Sequence, residues 1–90
     1  MPEKWFVYII ECENGSFYIG ISQNPSRRLK YHSDSQGSLH TRAFKPHWLV
    51  WTEEHGDISS ARKREMQLKR WTRRKKLALI SGNFTLLKKL

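Results

Sequence analysis

Cysteine is almost absent from this sequence, because Cys12 is the only one among its 90 residues. A single cysteine cannot form a disulfide within the chain, and a structural zinc site would need several cysteines or clustered histidines. The four histidines show no metal-ligand spacing. Since Cys12 follows an apolar run, we expect a small buried or strand-edge thiol rather than a catalytic one.

Long hydrophobic runs are also missing. No stretch approaches the ~18 apolar residues of a membrane span, and none follows Met1 as a signal peptide would. We therefore expect a soluble cytoplasmic protein with no membrane contact. The chain has no repeat, low-complexity tract or linker, and its length predicts one domain. We place that domain at residues 1–82, followed by a short helical turn or tail at 83–90.

Acidic residues are scarce, with eight Asp and Glu against 17 Lys and Arg, a formal net charge of +9 and a pI near 10.1. The basic residues concentrate between Arg62 and Lys76, where Glu65 is the only acid. Such a charge distribution favours a polyanionic partner. We favour nucleic acid over an anionic membrane surface or an acidic protein, because the aromatic content indicates a folded partner site rather than a membrane-lying helix.

Local signals predict a sheet with helices. Trp5 to Cys12 is rich in β-forming residues, and Asn14-Gly15 predicts a two-residue type I′ turn into a return strand at 17–21. Further signals predict a helix over about 25–32, a strand over 47–54, and helices over about 58–71 and 73–81. The order β-β-α-β-α-α predicts an α/β (α+β) protein with a small three-stranded antiparallel sheet flanked by helices.

The predicted hairpin leaves the relation of its two tyrosines open. Counting outward from the turn pairs Cys12 with Phe17 and Glu11 with Tyr18. Tyr8 then lies three positions beyond the partner of Tyr18, so the two phenols share one side of the sheet only if a bulge intervenes. The alternative is that both are half-buried sheet aromatics, which is usual for tyrosine in a strand.

Glu65 has an unusual position for an acid. At 100° per residue it lies on the inward stripe of its helix, with Ala61 and Leu68. A carboxylate on an inward face is costly unless a cation satisfies it. Two interpretations remain open: an ion pair with Lys69, one turn further on, or a divalent cation completed by water and phosphate.

Arg27 and Arg28 lie together on the predicted first helix. The planar guanidinium donates two hydrogen bonds to a phosphate and stays charged at any ordinary pH. A solvated helix face is the alternative explanation for this pair.

Several of these residues together resemble one family. The segments that carry the resemblance are Phe6-Val7-Tyr8-Ile9, Tyr18-Ile19-Gly20, Arg28-Leu29 and Arg64-Glu65. They are similar to the GIY-YIG endonuclease superfamily, above all to its short single-domain bacterial members, which resemble the N-terminal nuclease domain of the excinuclease C subunit. The resemblance extends from about Trp5 to Ile80.

The resemblance implies a metal-dependent endonuclease that cleaves DNA phosphodiesters in repair or recombination, with DNA favoured over RNA. It implies that one of Tyr8 and Tyr18 activates the nucleophile while the other supports it. By the same resemblance Arg28 contacts the scissile phosphate, and Glu65 holds a single divalent ion, Mg²⁺ or Mn²⁺. We expect six further cations to contact nucleic acid: Arg27, Arg42, Arg64, Lys69, Arg70 and Arg73.

The chain departs from the family pattern in two places. Phe6 stands where the first motif has glycine, and Ile21 stands where excinuclease C domains tend to carry lysine. An asparagine used late in larger members has no clear counterpart here, since Asn83 lies too far along the chain. The alternative function is therefore a non-catalytic, basic nucleic-acid-binding module that retains the fold.

Overall fold

The structure is a computed structural model that describes residues 4–33 and 45–90. Its elements are the strands β1 (Trp5–Cys12), β2 (Phe17–Ser22) and β3 (Pro46–His55), and the helices α1 (Pro25–Ser33), α2 (Ile58–Lys69), α3 (Arg73–Ser81) and α4 (Phe84–Lys89). The predicted α+β class, the three-stranded sheet and the order of its elements are confirmed, and α4 follows as a further short helix.

The sheet has the order β2-β1-β3, and both neighbours of β1 run antiparallel to it. Because β1 is central and has helices on both of its faces, it is buried on both sides. Val7 and Ile9 belong to the larger core, whose other buried members are Ile19, Ala61, Leu68 and Leu79. The opposite face of β1 contributes Tyr8, Ile10 and Cys12, which pack with Tyr18, Leu29 and Leu49. The buried thiol expected for Cys12 is confirmed.

A bulge in β3 changes which of its side chains pack on each face of the sheet. Ile9 pairs with Trp51, but the next residue of β1, Ile10, pairs with Leu49, so Val50 is the extra residue. Val50 and Trp51 then both pack against the larger core, while Leu49 packs on the other side. The extra residue shifts the alternation of side chains by one position.

The helices begin and end at the residues that cap them. The Asp57 side chain accepts a hydrogen bond from the Ser60 backbone N–H at 2.7 Å, and Thr72 accepts one from Lys75. Gly82 ends α3 in the left-handed conformation, with φ of 74°. The sequence predicts Asp57 or Ser59 as the cap before α2, Thr72 as the cap before α3 and Gly82 as its stop, and the structure shows Asp57 in the first of these roles. Within the described residues, no helix combines the length and apolar character needed to cross a bilayer.

Candidate active site

The register of the β1–β2 hairpin decides where the two tyrosines lie. Ile10 pairs with Tyr18 and Tyr8 pairs with Gly20, so the pairing predicted from a two-residue turn is wrong by one position. The Cys12 N–H donates to the Ser16 carbonyl at 2.8 Å across a three-residue loop. Gly15 closes that loop with φ of 83°, which is the left-handed position that such loops require.

The corrected register puts both phenols on one face of the sheet. Tyr8 lies two residues from Ile10, the partner of Tyr18, and side chains two apart in a strand point the same way. The centroids of the Tyr8 and Tyr18 rings are 6.3 Å apart. No bulge between β1 and β2 is needed, because the longer turn shifts the whole pairing.

The phenol of Tyr8 lies directly across Gly20. A β-carbon at Gly20 would lie 2.5 Å from Tyr8 Oη and 2.7 Å from Cζ, closer than real atoms approach. Tyr8 itself is only 1% exposed. The glycine of the second motif therefore provides the space that the buried phenol occupies.

Helix α1 brings Arg28 to this phenol. Its first turn is set by Asn24, whose Oδ1 accepts a hydrogen bond from the Arg27 backbone N–H at 3.1 Å. The exposed Arg28 guanidinium donates a hydrogen bond to the Tyr8 hydroxyl. Its central carbon also lies 4.8 Å from the centroid of the Tyr31 ring, one turn further along α1. Arg28 thus joins a buried phenol to the surface.

Helix α2 supplies the acid. The Glu65 side chain is 15% exposed, as its inward position predicts, and its Oε2 lies 3.4 Å from Lys69 Nζ. The ion pair considered from the sequence is therefore present, but Lys69 is largely exposed, and such pairs contribute about 0–1 kcal/mol. Glu65 is also near enough to Tyr8 to interact with it electrostatically.

These surroundings change the acidity of Tyr8. Burial raises the pKa of Tyr8 to about 12, and the nearby Tyr18 acts in the same direction. Arg28 opposes this shift, through its hydrogen bond and its charge, while Glu65 adds to it. Tyr8 therefore keeps its proton throughout the neutral pH range.

Two strands and two helices thus bring together the four side chains Tyr8, Tyr18, Arg28 and Glu65. A divalent ion here would rely on few protein ligands, because residues 4–33 and 45–90 contain no group of three or more His, Cys, Asp or Glu side chains suited to a metal. Glu65 is suited to such a site, since Mg²⁺ is commonly held by one or two carboxylates with water and phosphate.

Phe6, which stands where the first family motif has glycine, is accommodated in the sheet. It is a half-buried strand residue paired with Ser22 and Glu54.

Arg64, expected to contact nucleic acid, makes contacts within the protein. Its Nε lies 3.1 Å from Glu53 Oε1 and its Nη1 lies 2.7 Å from Gln67 Oε1. The guanidinium also lies 6.0 Å from the centroid of Trp51 and 5.3 Å from that of Trp71. These contacts fasten α2 to β3, and only the tertiary structure shows them.

Glu53, which contacts Arg64, also contacts His55. His55 Nε2 lies 2.8 Å from Glu53 Oε1, and its Nδ1 lies 2.7 Å from the Ser60 hydroxyl. Glu53 and His55 were not singled out from the sequence as a pair, although two residues two apart in a strand share a face. The spacing of two residues, just ahead of the predicted α2, is the sequence signal that could have predicted this pair.

The other predicted cations have different surroundings. Arg73 Nη1 donates to the Gly15 carbonyl at 2.6 Å, and its guanidinium lies 4.5 Å from the Phe17 ring centroid, so it ties α3 to the hairpin. Arg27 and Arg70 are exposed and each lines a surface groove. Lys69 pairs with Glu65, and Arg42 lies outside the described residues.

The comparison with known families gives the class of protein. Residues 4–78 match the family model described as the GIY-YIG catalytic domain, which is a nuclease-type domain. The chain belongs to the GIY-YIG family.

Individual relatives agree with this assignment. The chain is 41% identical over 78 residues to the UPF0213 protein of Staphylococcus aureus strain Mu3, covering 87% of this chain and 95% of the relative. The UPF0213 protein of strain COL gives the same values. Among solved structures, the solution NMR structure of the UPF0213 protein from Bacillus halodurans is 37% identical, with a TM-score of 0.56 over 87% of this chain and 83% of that one.

Proposed function

We propose that this protein is a metal-dependent endonuclease that cleaves DNA phosphodiesters, acting in repair or recombination, with residues 1–82 as the nuclease unit. The observation that carries the proposal is the convergence on one buried phenol: Tyr8 accepts a hydrogen bond from Arg28 and interacts with both Tyr18 and Glu65. A sheet tyrosine that served packing alone would not need an arginine and a carboxylate from two separate helices.

Arg28 is the group that meets the scissile phosphate. The Arg28 side chain is exposed, and the hydrogen bond to the Tyr8 hydroxyl holds its guanidinium in position. Phosphodiester hydrolysis adds negative charge to the phosphorus centre, and a positioned guanidinium stabilises that charge with short, directed hydrogen bonds. Tyr8 therefore positions Arg28 while remaining protonated.

Tyr18 is the proton acceptor for the attacking water. Tyr8 is unsuited to this step because burial raises its pKa to about 12, so it does not lose its proton at neutral pH. Tyr18 is only half buried and lies on the same face of the sheet. A general base must reach the proton it removes, and the half-buried Tyr18 is more open to water than the fully buried Tyr8.

Glu65 is the residue that would hold the divalent ion, Mg²⁺ or Mn²⁺. When bound, such an ion stabilises negative charge on the phosphate and on the leaving oxygen. Glu65 has a carboxylate directed to the inner side of α2 next to Tyr8, and Lys69 compensates its charge at one oxygen. Because Lys69 is largely exposed, it can move away when an ion binds.

The decisive experiment compares two acids of the same chain. Glu65→Gln is assayed with wild type on branched, nicked and plain DNA, with Mg²⁺, with Mn²⁺ and with neither. We expect wild type to cut only with a divalent ion, and Glu65→Gln to lose at least ~100-fold of the rate, as removal of a major charge-stabilising group does, while still binding DNA. Glu54→Gln is the matched control, since Glu54 is an exposed acid paired with Lys4. Equal rates for wild type and Glu65→Gln would refute the proposal.

The second candidate function is a nucleic-acid-binding module without catalysis. The contact between Lys69 and Glu65 favours it, because a carboxylate that a lysine already neutralises has no need of a metal. Salt-dependent DNA binding by wild type, with no cleavage under any of these conditions, would select this function.

A further inference from the structure

A groove of about 510 Å³ opens beside Arg28, at the end of the sheet where β2 leads into α1. The residues that line it include Trp5, Gln23, Arg27, Arg28 and Tyr31. The volume lies within the ~300–1,000 Å³ that is usual for sites that bind small molecules. None of the roles given above to Tyr8, Tyr18, Arg28 and Glu65 requires this groove.

The chemistry of the walls suits a nucleobase. Tyr31 is 39% exposed and presents an aromatic ring at the groove, and Trp5 contributes a second, half-buried ring. Unstacked bases bind to proteins by stacking on aromatic side chains and on guanidinium planes. The exposed Gln23 side chain adds one amide donor and one amide acceptor, the pair that reads the edge of a base.

The position of Arg28 connects the groove with the reaction centre. Arg28 and Tyr31 lie three residues apart on α1 and therefore on one side of the helix, with the guanidinium against the ring. The same guanidinium donates to the Tyr8 hydroxyl. A nucleotide whose phosphate met Arg28 would thus have its base within reach of Tyr31, and Arg27 lines the same groove and is available for a neighbouring phosphate.

We propose that this groove is a subsite for one unpaired nucleobase, belonging to the nucleotide next to the phosphate that Arg28 contacts. The position of the phosphate at Arg28 rests on the proposed function, whereas the groove is a feature of the structure itself. A base inside a duplex is stacked on both faces and paired at its edge, so it reaches a protein pocket only when it is unpaired or flipped out. Unpaired nucleotides are therefore preferred over continuous duplex at this position.

The test measures binding with a chain that cannot cut. In the Glu65→Gln background, single-stranded deoxyoligonucleotides are titrated by fluorescence anisotropy, each carrying one abasic site at a different position. We expect one abasic position to weaken binding by about ten-fold, the scale of one lost base–aromatic stack. Tyr31→Ala is expected to weaken binding of the intact oligonucleotide by the same factor, and the abasic site is expected to add nothing further to it.

Two variants separate stacking from disturbance of the fold. Tyr31→Phe keeps the ring and is expected to bind as the Glu65→Gln parent does. Met66→Ala removes an exposed apolar side chain from a different groove, on α2, and is expected to have no effect on binding. If no abasic position matters, or if the effects of the abasic site and Tyr31→Ala multiply, the subsite does not exist.

The outcomes also separate this inference from the proposed function. If wild type cuts DNA and binding is indifferent to both Tyr31→Ala and the abasic site, the groove inference fails while the nuclease stands. If the abasic site and Tyr31→Ala show the expected non-additive loss but wild type cuts nothing with either metal, the nuclease proposal fails while the base subsite remains.

Discussion

At the scale of single residues, the site depends on a phenol that fills the space left by a missing side chain. Tyr8 is buried across Gly20, and its hydroxyl accepts the hydrogen bond that holds Arg28. A buried polar group is stabilising only while its partner is in place. The same contact therefore belongs both to the fold and to the proposed catalytic site, and changes on either side of it are expected to have measurable effects.

Gly20→Ala tests the space for the phenol. The added β-carbon would overlap the hydroxyl end of Tyr8, so the ring or the strand beside it must shift. We expect a loss of about 1–3 kcal/mol in the free energy of unfolding, as for other overpacked cores, together with loss of cleavage. Gly56→Ala is the matched control, because nothing beyond its two chain neighbours lies within 4 Å of the β-carbon it would add. Equal stability of the two variants in denaturant titrations would contradict the described position of the Tyr8 ring.

Tyr8→Phe tests the raised pKa. Because the folded-state pKa is about 12, above the ordinary value of 10, the folded protein keeps the proton that the unfolded chain loses. In wild type, protonated Tyr8 should therefore contribute to the free energy of unfolding. This contribution is complete below pH 10 and is lost as the pH rises from 10 to 12. Tyr8→Phe should lack this part of the alkaline decline. Parallel curves of unfolding free energy against pH for the two proteins would show that the shift is absent.

At the scale of secondary-structure elements, α2 has to be held firmly for Glu65 to face Tyr8. Glu53 on β3 receives both the Arg64 guanidinium and the His55 ring, and His55 contacts Ser60 in the first turn of α2. The helix is thus fastened at its start and its middle by one strand. Arg64 and Glu65 are neighbours in sequence, so the residue that anchors the helix directly precedes the one that serves the site.

Arg64→Lys tests this anchoring role. Lysine keeps the charge but cannot donate to Glu53 and Gln67 through a planar fork. We expect unfolding free energy to fall by about 0.5–1.5 kcal/mol, the net range for a typical hydrogen bond, with cleavage reduced and the salt dependence of DNA binding unchanged. Arg62→Lys, on the exposed side of the same helix, is the control. If Arg64→Lys keeps full stability but weakens DNA binding, Arg64 is a DNA contact after all.

At the scale of the whole molecule, the net charge is +9, and the five described cations that are expected to contact nucleic acid fall into two groups, those with partners within the protein and those on the surface. Arg64 and Arg73 make contacts within the protein, Lys69 compensates Glu65, and Arg27 and Arg70 remain on the surface beside grooves. Excess positive charge attracts DNA mainly through release of its counterions. Because Arg64, Lys69 and Arg73 have partners within the protein, the net charge overstates the number of cations that are available to phosphates.

Salt titrations of DNA binding distinguish these two groups of cations. Arg70→Ala should lower the slope of log affinity against log salt by about 1, as expected for one lost phosphate contact. Arg73→Ala should instead destabilise the link between α3 and the hairpin turn and leave the slope unchanged. The opposite pattern, with the slope reduced only by Arg73→Ala, would reverse the two assignments.

The residues alone were sufficient to predict the elements, because the signals involved are local. Strand composition, the caps at Asp57 and Thr72, and the stop at Gly82 act within a few residues, and the 100° rotation of a helix placed Glu65 on its inner side. The register of the hairpin could not be predicted, since Asn14-Gly15 fits a two-residue and a three-residue loop alike. One position of register decides whether Tyr8 and Tyr18 share a face, and that choice depends on packing under α1. Likewise, only the approach of β3 to α2 determines that Arg64 binds Glu53, because contacts between residues distant in sequence form when the chain folds.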